Sequence, residues 1–230
     1  MQRDPGPLDR RDEQLAAMAP ELGLELGADA RRRLLDYLSL IQRWNKVYNL
    51  TALRDPGEMF THHLLDCLAI VRPLEQSVAG HSKPLRVLDV GSGAGLPGVI
   101  LALLEPDWRV TCVDAVAKKA TFIRQVAAEL RLSNLDGVHG RVESSETFGD
   151  RQFDLIVSRA FASLADFTGL TRHVLAPGGK WAAMKAHLSE SELDELPSDI
   201  AMFHVEQINV PKLDATRRLV WLRLDNPAGQ

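Results

Sequence analysis

The stretch that decides the fold is Val87-Leu88-Asp89-Val90-Gly91-Ser92-Gly93-Ala94-Gly95-Leu96-Pro97-Gly98. An apolar segment typical of a buried strand leads directly into closely spaced glycines, and an apolar segment typical of a helix follows. Glycines let the backbone turn sharply and let a ligand approach it closely. Pro97 fits the first turn of that helix, where its missing N–H leaves no hydrogen bond unmade. In open α/β sheets such a turn lies at the carboxyl end of a strand, so the stretch predicts a ligand site.

Short β-rich runs alternate with helical runs after Pro84, which indicates parallel βαβ units. We expect strands at residues 85–90, 110–114, 137–142, 153–158 and 180–185, and helices at residues 98–104, 118–130 and 164–174. Residues 203–210 and 218–224 are two further β-rich runs joined by a short polar loop, which predicts an antiparallel hairpin. The sequence thus predicts a mainly parallel, seven-stranded, Rossmann-like α/β sheet that ends in an antiparallel pair.

The residues before this sheet are predicted to be mostly helical. Asp29 can cap a helix in which apolar residues recur at helical spacing from Leu34 to Ile41. A second helix is expected over residues 59–71, ending before Pro73. We therefore divide the chain into three parts joined by a linker near residues 80–84. They are a flexible leader with a first helix at residues 1–28, a helical cap at residues 29–79 and a Rossmann-like domain at residues 84–230.

The composition is that of a globular chain of 230 residues with 45% hydrophobic and 25% charged residues. No apolar run reaches the roughly 18 residues of a transmembrane helix, and residues 1–7 lack the apolar stretch of a secretory signal. The net charge of −4 argues against a general nucleic-acid coat protein but is compatible with a local basic face. Cys67 and Cys112 share no metal-ligand spacing, so we expect buried free thiols in a reducing cytoplasm.

Two cofactors compete for the glycine-rich turn. Residues 93–98 fit the dinucleotide pattern G-x-G-x-x-G, a match that is weak by itself. The wider frame D-x-G-x-G-x-G begins at Asp89 and resembles the first motif of S-adenosylmethionine enzymes. That cofactor carries an ammonium and a sulfonium, so a carboxylate beside the loop is electrostatically favourable. We favour S-adenosylmethionine over a purely structural turn, and we assign to it Asp89, Gly91, Gly93 and Gly95.

The ends of the next two predicted strands add candidates for a nucleoside site. Asp114 ends the second strand, where an acid can accept hydrogen bonds from both ribose hydroxyls, although a helix cap is an alternative. Val142 and Glu143 follow at the third strand, which flanks the adenine in methyltransferases. Val142 would pack on the base and Glu143 would meet its polar edge, but a solvated surface acid fits the pattern of Glu143 nearly as well.

The substrate is indicated by what the sequence lacks. Amino-group methylases commonly carry an Asn/Asp-Pro-Pro-Tyr/Phe element after the fourth strand, whereas this chain has Val157-Ser158-Arg159-Ala160-Phe161-Ala162-Ser163. Methylation of a pyrimidine carbon requires a cysteine nucleophile, and neither cysteine lies in a suitable loop. Guanine N7 requires neither device, because it has an exposed lone pair and no proton to lose. Catalysis then reduces to aligning donor and acceptor, so we expect no general base.

Several separated stretches resemble the glucose-inhibited division protein B family, the 16S rRNA guanine-N7 methyltransferases, which are class I methyltransferases. They are Arg43-Trp44-Asn45-Lys46-Val47-Tyr48-Asn49-Leu50-Thr51, His62-His63-Leu64-Leu65-Asp66-Cys67-Leu68, the loop through Leu96-Pro97-Gly98, Arg141-Val142-Glu143, Ser158-Arg159-Ala160-Phe161-Ala162 and Pro177-Gly178-Gly179. The resemblance spans roughly residues 30–186 and departs from the family at Cys67, where a small residue such as Ser is expected. It implies methyl transfer to N7 of guanine 527 of the 16S rRNA, free or within the small ribosomal subunit.

The resemblance also implies roles for individual residues. It places cofactor contacts at Gly91, Leu96, Asp114, Val142 and Glu143, with Arg159 lining the pocket. Arg159 has an independent argument, because a cation at the carboxyl end of a strand can bind a phosphate or a guanine edge. A surface ion pair explains Arg159 equally well. The further cations that we expect around the mouth of the site, as RNA contacts, are Lys118, Lys119, Arg124, Arg141 and Lys185.

Other features leave alternatives open. His62 and His63 are compatible with RNA or metal binding, but such a pair is more often structural, and we expect no metal. Trp44 and Tyr48 are compatible with base stacking and equally with packing of the helical cap onto the sheet. The competing functions are a small-molecule methyltransferase, an NAD-dependent oxidoreductase and a catalytically silent RNA-binding module. Because no separate apolar patch is evident, we expect a monomer.

Overall fold

The computed structural model describes residues 7–159, 161 and 163–225. Its centre is a seven-stranded sheet in the order β3-β2-β1-β4-β5-β7-β6. The strands are β1 (Leu85–Val90), β2 (Trp108–Asp114), β3 (Leu135–His139), β4 (Phe153–Ser158), β5 (Leu175–Lys185), β6 (Ile200–Ile208) and β7 (Arg217–Leu224). Strands β1 to β5 pair in parallel, whereas β7 pairs antiparallel with both β5 and β6. The predicted Rossmann-like sheet with a terminal antiparallel hairpin is confirmed.

Helices precede the sheet and alternate with its strands. They are α1 (Pro7–Met18), α2 (Ala28–Tyr48), α3 (Pro56–Met59), α4 (Asp66–Leu68), α5 (Val71–Ser77), α6 (Gly98–Leu104), α7 (Ala117–Glu129), α8 (Ser145–Phe148), α9 (Leu164–Thr171) and α10 (Glu190–Asp194). Residues Ala19–Leu22 and Arg172–Val174 are 3₁₀-helical, and Phe60–Leu65 form a π-helical segment. Among the described residues, no helix combines the length and the apolar character that a membrane crossing requires.

Both faces of the sheet are covered, which explains why its central strands are continuous apolar runs. Successive side chains alternate between the faces, so Val87 and Val110 belong to one hydrophobic cluster and Leu88 and Val113 to the other. The cluster around Val87 continues into α2 through Ile41, because α2 packs against α6 and α7. The N-terminal helices therefore share a core with the sheet. The division of residues 29–79 from residues 84–230 stays a prediction.

The structure corrects three expectations for the N-terminal helices. Asp29 does not cap α2: Gly27 is the N-cap, and Asp29 lies in the first turn, where a carboxylate is favourable near the helix dipole. The helix expected over residues 59–71 is divided among the end of α3, the π-helical segment, α4 and, after a turn, the start of α5. Pro73 lies in the first turn of α5 rather than beyond a helix end, because a first-turn residue needs no N–H partner. Within the predicted leader, residues 1–6 lie outside the described residues.

Element ends in the sheet region also differ from the predictions. β3 ends at His139 instead of residue 142, and β5 begins at Leu175 instead of residue 180. β6 covers residues 200–208 instead of 203–210, and the helix predicted over 164–174 is α9 followed by a 3₁₀ turn. Pro97 is the N-cap residue of α6 rather than part of its first turn. Hydrogen bonding to neighbouring strands sets the ends of the strands, and the apolar pattern of a single segment does not contain that information.

Candidate functional site

The predicted site residues converge at the carboxyl edge of the sheet, where the strand order reverses between β1 and β4. β1 pairs in parallel with β2 through Val90 and Val113, and with β4 through Asp89 and Val157. The residues that follow these strands therefore reach the same edge at neighbouring positions. They are Gly91 after β1, Asp114 at the end of β2 and Arg159 after β4.

The glycine loop, residues 91–97, has one open position and one packed position. Gly91, Gly93 and Gly95 have φ values of 66°, 59° and 86°, a region that favours glycine. A Cβ at Gly93 would meet only the Gly91 carbonyl oxygen, 4.0 Å away, so Gly93 faces open space. A Cβ at Gly95 would lie 2.5 Å from the Val99 side chain. Close approach by a ligand is thus possible at Gly93, whereas Gly95 permits packing of the loop against α6.

Asp114 ties the loop to the end of β2. Its Oδ2 accepts a hydrogen bond from the N–H of Gly93 at 3.0 Å, and its Oδ1 accepts one from the N–H of Val116 at 2.9 Å. The Lys119 Nζ lies 3.4 Å from Oδ2. A carboxylate offers about four acceptor positions, so Asp114 retains capacity for a ribose hydroxyl beside these contacts.

Asp89 lies fully buried beneath the loop rather than on its open side. Its Oδ2 accepts a hydrogen bond from the N–H of Gly98 at 2.9 Å, and the Cys112 Sγ lies 3.8 Å away. Its Oδ1 is buried without a hydrogen-bond partner among the described residues. Burial raises the pKa of Asp89 to about 7. An unpartnered buried oxygen is unfavourable in a turn that serves only structure, and it fits a polar group or water held at a ligand site.

The loop after β3 contains the other predicted nucleoside contacts. The N–H of Gly140 donates to the Asp114 carbonyl at 3.2 Å, which brings this loop beside the end of β2. Val142 is buried in the cluster that covers one face of the sheet. Glu143 is exposed, and its Oε1 lies 3.3 Å from the Arg141 Nη1. Leu96, the remaining predicted contact, is buried within the other cluster.

Arg159 lines a cavity of about 250 Å³, which we call the arginine cavity. Its lining residues are His62, His63, Asp66, Arg159, Met184, Lys185, Ala186 and Arg217. The Arg159 Nη1 donates to the His62 carbonyl at 2.9 Å and lies 3.6 Å from the Asp66 Oδ2. The Arg217 Nε donates to the other oxygen of Asp66 at 2.8 Å. One buried carboxylate thus holds two guanidinium groups, from the end of β4 and the start of β7, at the same cavity.

The N-terminal helices position the Arg159 contacts through a hydrogen-bonded chain. The Asn45 side chain accepts from the N–H of Thr51 at 2.9 Å and donates to the Leu53 carbonyl at 2.9 Å. The Thr51 Oγ1 lies 2.8 Å from the Nε2 of His63. Burial, with the charge of Arg159, lowers the pKa of His63 to about 4, so its ring is neutral at pH 7. Among the described residues, no group of three His, Cys, Asp or Glu side chains is placed to hold a metal ion.

Trp44 packs the helical segment onto the sheet domain. Its ring centroid lies 5.3 Å from that of Phe122 on α7 and 5.1 Å from that of Tyr48. The packing interpretation of Trp44 is therefore confirmed. Tyr48 remains 41% exposed.

The five predicted RNA-binding cations do not form one group. Lys118 is exposed at the start of α7, Lys119 contacts Asp114 from the same turn, and Arg124 is exposed farther along the helix. Arg141 pairs with Glu143, as described above. Lys185 lines the arginine cavity, where its Nζ lies 2.6 Å from the Glu192 Oε1. The structure thus places Lys185 with Arg159 and separates Arg124 from both, and a role of these cations in RNA binding stays a prediction.

Sequence reasoning missed Tyr37, Asp66 and Arg217. The Tyr37 hydroxyl donates to the Ala94 carbonyl in the glycine loop at 2.6 Å. Asp66 lies within the stretch quoted above at residues 62–68, where a single acid among apolar residues could have indicated a buried ion pair. Nothing in the sequence marks Tyr37 or Arg217 as a site residue. Tyr37 occupies an ordinary core position of a helix, and Arg217 directly precedes a predicted strand.

Both cysteines are free and buried, as predicted. Burial raises the pKa of the Cys67 thiol to about 12 and that of Cys112 well above its usual value. Neither residue is a thiolate at neutral pH, and only a thiolate is an effective nucleophile. The departure at Cys67 therefore adds no reactive group to the arginine cavity.

Comparisons of the sequence with known proteins agree on one family. The family model described as rRNA small subunit methyltransferase G matches residues 30–220. A protein named ribosomal RNA small subunit methyltransferase G from Leptothrix cholodnii is 59% identical over 209 residues, covering 91% of this chain and 94% of that protein. A protein of the same name from a Polaromonas species is 52% identical over 219 residues, covering 94% and 95%. The solved structure of a SAM dependent methyltransferase from Aquifex aeolicus matches with a TM-score of 0.53 at 15% identity, covering 76% of this chain and 96% of that one, which shows a shared fold.

Proposed function

The chain belongs to the rRNA small subunit methyltransferase G family, and we propose that it transfers a methyl group from S-adenosylmethionine to N7 of a guanine in 16S rRNA. The observation that carries this proposal is 59% identity to a relative of that name, over nearly the whole of both chains. The family model covers residues 30–220, a range that contains the glycine loop and every residue that lines the arginine cavity.

The residues at the glycine loop fit S-adenosylmethionine. Gly93 leaves open space at the backbone, and the carboxylate of Asp114 retains acceptor capacity at the end of β2. Gly91, Gly95, Leu96, Val142 and Glu143 complete the proposed contact set, in which Asp89 supports the loop from below. When bound, S-adenosylmethionine supplies an electrophilic methyl group that a nitrogen lone pair can accept directly. The titratable groups of this chain need not act as a base in that transfer.

Guanine N7 fits the chemistry of this site better than a pyrimidine carbon. Attack through a cysteine would require a thiolate, and burial keeps both thiols protonated. N7 carries no proton, so its methylation requires only alignment and exclusion of water. Arg159 and Arg217 can hold the target, because a guanidinium can donate to O6 of guanine or to a phosphate and leave the N7 lone pair free to accept the methyl group. We assign Arg159 a substrate-orienting role at the arginine cavity.

Methyl transfer to defined acceptors tests this proposal. The wild-type chain is incubated with radiolabelled S-adenosylmethionine and 16S rRNA, small subunits or a metabolite extract, each from a strain lacking the protein. We expect label in the rRNA, released on nucleoside digestion as N7-methylguanosine. Label confined to the metabolite extract would favour a small-molecule methyltransferase. Binding of NADH without binding of S-adenosylhomocysteine would favour an oxidoreductase, and RNA binding without any transfer would favour a silent binding module.

A further inference from the structure

Tyr37 makes the contact between the N-terminal helices and the tip of the glycine loop. It is fully buried on α2, and its hydroxyl donates to the carbonyl of Ala94, which is also buried. The hydroxyl oxygen would lie only 3.4 Å from a Cβ at Gly95, so Tyr37 packs directly on the turn. Burial raises the pKa of Tyr37 well above its usual value, so the hydroxyl is protonated and can donate at neutral pH.

The tip of the loop needs such a tether, because glycines give it little conformational preference of its own. Within the tip, Gly95 and Leu96 donate to the Ser92 carbonyl, and the remaining hydrogen bonds hold the flanks of the loop to the sheet. Gly91 and Ser92 donate to the Val113 carbonyl, Gly93 donates to Asp114, and Gly98 donates to Asp89. Among the described residues, the Tyr37 hydroxyl is the donor that reaches the Ala94 carbonyl, and no second donor is found there.

We propose that Tyr37 is a positioning residue that holds the glycine loop in its cofactor-binding conformation before the cofactor arrives. This role rests on the proposed binding of S-adenosylmethionine at the loop. With this role, α2, a helix outside the βαβ units, becomes part of the cofactor site. The same helix carries Asn45, whose hydrogen bonds lead through Thr51 and His63 to Arg159. One helix thus supports both the cofactor loop and the arginine cavity.

A positioning role differs measurably from a structural one. If the loop kept its conformation without the hydroxyl, the hydrogen bond would be missing equally from the free and bound proteins. Stability would then fall, but the Kd for the cofactor would not change. If the loop relaxes without the hydroxyl, only a fraction of the free protein has the loop conformation that binds the cofactor. The observed Kd then equals the intrinsic Kd divided by that fraction, so it rises.

The test is Tyr37→Phe in the full chain, with S-adenosylhomocysteine binding measured by calorimetry and stability by thermal unfolding. We expect the Kd to rise about tenfold, equivalent to about 1.4 kcal/mol. Tyr48→Phe is the matched control, because it makes the same change on the same helix at an exposed hydroxyl. Thr168→Val removes a buried hydroxyl that donates to the Leu164 carbonyl, so it controls for destabilisation and should leave the Kd unchanged. A lower Tm for Tyr37→Phe with a wild-type Kd would overturn the proposal.

Hydrogen exchange on the wild-type chain gives a second measurement that requires no variant. The N–H groups of Gly95 and Leu96 donate to the Ser92 carbonyl at 2.8 and 2.9 Å. A preset loop should protect these amides in the free protein nearly as well as in the complex with S-adenosylhomocysteine. Protection that arises only with the ligand would refute a preset loop. Failure of the wild-type chain to bind S-adenosylhomocysteine would instead overturn the cofactor assignment, and with it this role of Tyr37.

Discussion

Gly93→Val should weaken cofactor binding severely in a chain that still folds. The valine side chain would extend into the open space beside the loop, because a Cβ at Gly93 meets no atom closer than the Gly91 oxygen at 4.0 Å. That space is where a ligand must approach the backbone closely. The φ of 59° adds a cost, which for a left-handed residue with a side chain is about 1–2 kcal/mol. For a chain of this size, that cost lowers the Tm by roughly 2–8 °C.

Gly149→Val separates the two effects. Gly149 has a φ of 57°, and a Cβ there would have no neighbour within 4 Å, so it carries the same backbone cost without a proposed ligand. Both variants should therefore lose similar stability, as measured by thermal unfolding. Calorimetry with S-adenosylhomocysteine should give a wild-type Kd for Gly149→Val and a Kd at least about a hundredfold weaker for Gly93→Val, a difference of about 2.8 kcal/mol. Equal affinities in the two variants would refute the assignment of the loop as the cofactor site.

Four further predictions concern the arginine cavity and the buried titratable groups. Arg159→Ala should lower kcat/KM for rRNA about tenfold to hundredfold, because a charge-assisted contact worth roughly 1.5–3 kcal/mol is lost. The Kd for S-adenosylhomocysteine should stay near wild type. A large fall in cofactor affinity alone would show that Arg159 contacts the cofactor instead of the substrate. Asp66→Asn should raise KM for rRNA more than it changes kcat, because Arg217 and Arg159 lose their shared anion, and steady-state kinetics that match wild type would show that the pairing does not matter. The wild-type protein should lose stability as the pH falls from about 6.5 to 4, because the unfolded chain then takes up a proton at His63 that the folded protein does not. His63→Gln should remove this loss. For Asp89 the sign is opposite: its raised pKa of about 7 means that the wild-type protein loses stability as the pH rises from about 4 to 7, and Asp89→Asn should remove that loss. The measurement is the difference in unfolding free energy between variant and wild type as a function of pH. Difference curves of the other sign would contradict both assignments.

The sheet was predictable because its strands are apolar on both faces and end in turn residues. β1 and β4 have the predicted bounds, since each is a short, mainly apolar run, and β1 lies between Pro84 and Gly91. β3 was shifted because its start is set by pairing with β2, where Leu135 lies opposite Val110. The π-helical segment at Phe60–Leu65 could not be predicted, because an apolar pattern at helical spacing does not distinguish π-helical from α-helical hydrogen bonding.

The candidate site was predictable where one segment carries the chemistry, as in the glycine loop and Asp114. The contacts of Arg159 were not, because they join residues far apart in the chain. Asp66 and Arg217 are separated by 151 positions, and no local pattern indicates that their side chains meet. The buried position of Asp89 was also hidden, because a carboxylate at the end of a strand can point to the ligand or beneath the loop.

Mass-spectrometric mapping of 16S rRNA tests the central claim most directly. The rRNA is compared between a strain lacking this protein and the same strain complemented with the wild-type chain or with Gly93→Val. We predict that one guanine loses an N7 methyl group in the deletion strain, regains it with the wild-type chain, and does not regain it with Gly93→Val. An unchanged methylation pattern in the deletion strain, or restoration of a methyl group at a position other than guanine N7, would contradict the account.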